Sequence, residues 1–147
     1  MQTISVIVMD KRLFFLINMA QHRMFKFADT RCEDQLSISV TQAAALMYIA
    51  KNEGCLQKAL SKALGLNNPA VTGLVRRMSK NNLIVRKACE EDGRASRLFL
   101  SELGQTKLPE IFPLVHQINE KLSAEFSEQE IDTVIRFLNQ VMTDFQH

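Results

Sequence analysis

The spacing of apolar residues changes period twice along this chain, and that limits the folds open to it. Val71, Leu74, Val75 and Met78 fall at i, i+3, i+4 and i+7, the buried stripe of a helix. From Leu83 to Leu100 the helical repeat is lost. Leu83 to Cys89 reads as a strand, Glu90-Glu91-Asp92-Gly93 as a turn, and Arg94 to Leu100 as the returning strand. In the second strand Ser96, Leu98 and Leu100 alternate against Arg97 and Phe99. After Ser101 the helical repeat resumes. The class expected is therefore mainly α with one small β-hairpin.

The remaining helices follow from stripes and end signals. A long helix is expected over about 10–33, carrying Leu13, Phe14, Leu16, Ile17, Ala20, Met24, Phe27 and Ala28. Thr41 is expected to cap a second helix over 42–50, which Asn52-Glu53-Gly54 ends. A short helix spans Gln57 to Leu64, and Gly65 supplies the turn. Asn67-Asn68-Pro69 then opens the helix 68–80, since Asn caps well and Pro suits the first turn. Ser101 caps a helix running to Leu122, in which Pro109 and Pro113 predict a kink or break. Ser127-x-x-Glu130 is a capping box launching Ile131, Val134, Ile135, Leu138, Met142 and Phe145.

Composition excludes several classes. At 147 residues and 46% apolar content, one domain with its own core is expected. No apolar run approaches the ~20 residues that span a bilayer. The run Ile4–Met9 is short, ends at Asp10-Lys11-Arg12 and has no basic segment before it, so a secretory signal is not expected. Cys32, Cys55 and Cys89 include no C-x-x-C pair, which points to free thiols in a reducing, cytoplasmic setting. No cluster has metal-ligand spacing, and no Gly-rich phosphate loop or nucleophile motif is present. Neither a cofactor nor an enzyme activity is expected.

Charge is unevenly placed. Residues 1–55 carry net +1, residues 56–97 net +6, and residues 98–147 net −5. Between Leu56 and Cys89 there are seven cations and no carboxylate. Such a stretch suits a polyanion, because neutralised phosphates release counterions. It falls on a helix–turn–helix followed by a hairpin, a winged arrangement. The helix 68–80 would enter the major groove, which admits a helix and displays the base code. Opposite its apolar stripe lie Pro69, Gly73, Arg76 and Lys80, flanked by Ala70, Thr72 and Arg77. Arg76, Arg77 and Lys80 would reach guanine edges or phosphates, and Asn68 and Thr72 would donate to phosphates or bases. Arg94 at the hairpin tip would enter the minor groove.

The stretch from Leu64 to Met78, followed by Asn82-Leu83-Ile84-Val85-Arg86, resembles the recognition segment of MarR-family transcriptional regulators. Asp92-Gly93-Arg94 through Gly104 resembles that family's wing signature, D-x-R-x-x-x-(apolar)-x-L-T-x-x-G, with Ser101 where Thr is usual. The resemblance implies a winged helix–turn–helix over 36–100. It also implies that 1–35 and 101–147 form a helical dimerisation part of one 147-residue domain. It implies a homodimer on a pseudo-palindromic operator, acting as a repressor released by a small aromatic or anionic effector whose pocket residues are not readable. DNA contacts would come from Asn68, Ala70, Thr72, Gly73, Arg76, Arg77, Lys80 and Arg94, with Asp92 orienting Arg94 by an ion pair.

Each residue also has a plainer reading. Arg76, Arg77 and Lys80 could form a solvated helix face, and Asn68 and Thr72 could serve local capping. Cys32 lies beside Arg31, which would lower a thiol pKa, but Glu33 and Asp34 oppose it; a small buried hydrophobe is the alternative. His22 is either a ligand-pocket residue or a packed or solvated histidine. Two other functions remain open: a winged helix that binds a protein, and an architectural binder without sequence preference.

Overall fold

Local capping sets where the helices begin. The computed structural model describes residues 12–146. Helix α1 (Leu13–Leu36) ends with Ser37 in the left-handed conformation at φ 59°. It runs three residues past the expected end because Leu36 is buried. The expected residues 10 and 11 lie outside the described residues. Helix α2 (Val40–Lys51) starts at Ser39, not at Thr41. The Ser39 hydroxyl accepts from the Gln42 N–H at 3.1 Å, and the Gln42 side chain accepts from the Ser39 N–H at 3.2 Å. This reciprocal capping box overrides the single cap that Thr41 could offer. Asp29 adds a third bond to that helix start, accepting from the Val40 N–H at 2.9 Å.

A two-residue strand, β1 (Cys55–Leu56), follows, then α3 (Gln57–Leu64), α4 (Asn68–Lys80), β2 (Ile84–Ala88) and β3 (Ser96–Leu100). The sheet has the order β1-β3-β2 and is antiparallel throughout. Ile84 faces Leu100, Lys87 faces Arg97, and Cys55 faces Leu98. The hairpin is thus shorter than expected, with residues 89–95 forming the connection. The third strand was not legible as a strand: two residues carry no alternation, and pairing with β3 alone defines them.

Helices α5 (Glu102–Ser123) and α6 (Glu128–Asp144) complete the chain. Helix α5 continues through Pro109 and Pro113, so neither proline ends it. Ser101 caps it as expected, its hydroxyl accepting from the Gly104 N–H at 3.0 Å and donating to the Asn82 carbonyl. Gly104 lies so close to Leu83, the residue before β2, that a Cβ there would overlap the Leu83 carbonyl oxygen.

The chain divides into two compact units between Ile111 and Phe112, within α5 and between the two prolines. The core of the first unit is built from Leu46, Ile49, Leu60, Val71, Leu74, Val75, Met78, Leu98 and Ile111, all fully buried. Lys107 closes α1 there, donating to the Leu36 carbonyl at 2.9 Å. In the second unit the Ser127–Glu130 capping box launches α6, and no residue of α6 is buried. No described helix is long and apolar enough to cross a membrane.

Candidate nucleic-acid interface

Helix α4 is fixed in rotation by the burial of Val71, Leu74, Val75 and Met78. Its start is fixed by Asn67, whose side chain accepts from the Ala70 N–H at 2.9 Å. Asn67 therefore takes the capping role, and Asn68 stands exposed beside it. With the apolar stripe buried, Ala70, Thr72, Arg76, Arg77 and Lys80 are exposed and Gly73 is partly so. The Arg77 guanidinium folds back over Gly73, where a Cβ would meet its Nη1 at 3.2 Å. Arg77 and Gly73 also border a hollow of about 310 Å³ against Ser39 and Thr41 at the start of α2. Thr72 Oγ1 accepts a hydrogen bond from Gln57 Nε2 at 3.2 Å. Nothing in the sequence marks Gln57, because a glutamine at a helix start carries no signal of a partner fifteen residues away.

The wing is the β2–β3 hairpin. Asp92 organises its connection by main-chain bonds. Its Oδ1 accepts from the Arg94 N–H at 3.0 Å, and its carbonyl accepts from the Ala95 N–H at 2.9 Å. The link expected between Asp92 and Arg94 was an ion pair; the bond formed runs from the carboxylate to the Arg94 backbone instead. An Asp side chain readily takes the backbone N–H two residues on, forming an Asx turn. Arg94 is exposed beside it. Arg97 points inward to the sheet edge, donating from Nη1 to the Gly54 carbonyl at 2.9 Å. Lys87, its cross-strand neighbour, lies over the Phe99 ring at 4.9 Å from the centroid.

The electrostatics follow from exposure. All seven cations between Leu56 and Cys89 (Lys58, Lys62, Arg76, Arg77, Lys80, Arg86 and Lys87) are exposed. In α5, His116 Nε2 lies 3.0 Å from Glu120 Oε1.

The other candidates are accounted for differently. Cys32 is buried, and burial pushes its thiol above the usual value, with Asp29 and Glu33 adding to the rise. Arg31, beside it in sequence, places its guanidinium over the Phe27 ring at 5.0 Å. Cys55 is also raised, first by burial and then by Glu53, against the lowering effect of its own backbone hydrogen bond. His22 is exposed on α1. Among the described residues no three His, Cys, Asp or Glu side chains are grouped to hold a metal.

Residues 36–95 match the sequence model of the MarR family. The organic hydroperoxide resistance transcriptional regulator of Bacillus subtilis is 30% identical over 96 residues, 65% of this chain. The match spans just under two thirds of that relative's length, 65%. Among solved structures, the MepR–DNA complex of S. aureus matches with a TM-score of 0.86 at 24% identity, covering 93% of this chain and all of that one. A probable transcriptional regulator from Pseudomonas aeruginosa matches with a TM-score of 0.77 at 26% identity, over 90% of this chain and 98% of that one.

Proposed function

We propose that this chain is a MarR-family protein, a sequence-specific regulator of transcription that binds double-stranded DNA. The observation that carries the reading is the exposed, carboxylate-free basic stretch lying on a winged helix. In this reading α4 enters the major groove. Arg76, Arg77 and Lys80 meet guanine edges or phosphates there, and Asn68 and Thr72 donate to bases or phosphates. Ala70 and Gly73 let the helix approach closely. Arg94 enters the minor groove from a turn that Asp92 holds. The fold is shared with MepR, which was solved on DNA.

The protein acts as a homodimer in the cytoplasm, and as a binding protein, not an enzyme. Dimerisation is supported by apolar side chains left open on the helices outside the winged core. Phe14 of α1 is 72% exposed, and Met142 of α6 is 64% exposed. Apolar faces of that kind are ordinarily covered by another surface. A two-fold dimer would place two copies of α4 on a pseudo-palindromic operator, with 1–35 and 101–147 supplying the dimerisation part. Repression relieved by a small aromatic or anionic effector completes the reading. The B. subtilis relative is named for organic hydroperoxide resistance. Thiol sensing through Cys32 is not part of this reading, because its raised thiol holds little of the reactive thiolate.

Selection of duplexes from a random-sequence pool tests the proposal. Enrichment of one motif with two-fold symmetry is expected. Recovery of the pool without enrichment would point to an architectural binder, and recovery of nothing would point to a protein-binding winged helix.

A further inference from the structure

The geometry points to Gln57 as a positioning residue that turns the Thr72 hydroxyl into a hydrogen-bond donor for DNA. The inference rests on the reading of α4 as the recognition helix. A threonine hydroxyl has one proton to donate and two lone pairs to accept with. Inside a helix that proton ordinarily goes to a carbonyl of the preceding turn. Four other threonines of this chain do so: Thr30 donates to Lys26, Thr106 to Leu103, Thr133 to Gln129 and Thr143 to Asn139. Thr72 differs. Its Oγ1 accepts from Gln57 Nε2 at 3.2 Å, on an exposed face of α4. With a lone pair engaged by Gln57, its proton is left to point outward. Phosphate oxygens and the N7 and O6 atoms of guanine only accept, so a donor is what they require.

Gln57 holds its place because the chain on both sides of the bond is fixed. It is the first residue of α3 and follows β1 directly. That strand pairs with the wing through Cys55–Leu98 and Leu56–Arg97. The Gly54 N–H donates to the Leu98 carbonyl at 2.8 Å, and Arg97 donates to the Gly54 carbonyl at 2.9 Å. On the other side, buried Val71 and Val75 flank Thr72 and stop α4 from turning. The amide therefore reaches Thr72 from a platform tied to the wing.

A double-mutant cycle tests this, with the duplex that the wild-type chain selects from a random pool as the probe. Gln57→Met keeps the length of the side chain and removes its amide; Thr72→Val keeps the shape and removes the hydroxyl. Each single variant is expected to weaken binding about 3- to 10-fold, the worth of one hydrogen bond. The double variant is expected to bind no more weakly than T72V alone, with thermal midpoints unchanged. Gln57→Ala repeats the cycle should Q57M fail to fold. Equal loss from the Gln57 change in the wild-type and T72V backgrounds would overturn the inference, as would no loss at all. That outcome leaves the DNA-binding reading standing. A wild-type chain that selects no duplex would remove both.

Discussion

Arg94 stands exposed at the tip of the wing, and the carboxylate of Asp92 holds the main chain beneath it. The two residues thus have separable roles. Arg94→Ala is expected to weaken operator binding by about 1–3 kcal/mol, the range for a groove contact. Asp92→Ala should weaken it less, because the cation stays and only its mount loosens; filter or fluorescence titration of both variants checks the order. Cys32 gives a pH dependence with a definite sign. Its folded thiol titrates above the ordinary value of 9.0, so the folded chain retains a proton that the unfolded chain loses first. Stability should fall as pH rises above about 9 and stop falling once the folded thiol ionises. Urea unfolding of wild type and Cys32→Ala across that range should show the shallower decline in the variant. The sequence named both residues but not how they act. An ion pair needs both side chains, whereas an Asx turn needs only the Asp and a backbone N–H, and the backbone path decides between them.

At the level of elements, the legible features were those with local causes. Helix α4 was readable in full because Asn67, Pro69 and the stripe from Val71 to Met78 all specify it within one segment. Asn67→Ala should cost about 1 kcal/mol of stability by denaturant unfolding, the usual worth of a helix cap. Helix α2 shows the limit. Ser39 and Thr41 are both good caps, and only the Gln42 side chain, three residues after Ser39, decides between them. Strand β1 and the Gln57–Thr72 bond were not legible because each is made by residues distant in the chain. Helix α5 survives two prolines, since its first half is held by Ser101, by the buried Ile111 and by the close approach of Gly104 to Leu83. Gly104→Ala should therefore destabilise the fold by about 2 kcal/mol or more, since the atom in its way is main chain and cannot swing aside. A thermal midpoint within a degree of wild type would refute that packing account.

Over the whole molecule, charge and apolar exposure are unevenly distributed along the chain. The cations are concentrated in residues 56–97, while the carboxylates dominate 98–147. The stripe of α6, including Ile135 at 51% exposure, is open in the single chain. Ile135→Glu should shift the protein toward monomer in sedimentation and weaken operator binding with it, because a half-site alone holds fewer contacts. Neither the proposed operator nor the proposed effector has a counterpart in the sequence. Base contacts are set by the docked pose, and an effector pocket lined by helices shows in the sequence only as hydrophobic residues. Specific recognition of DNA by the winged helix is the function proposed for this chain. The most direct measurement titrates wild type and Arg77→Ala against the selected duplex with excess random DNA present, at two salt concentrations. Binding is expected to survive the competitor, weaken with salt, and lose about one unit of salt slope in Arg77→Ala. Binding removed in proportion to the random DNA added would contradict it.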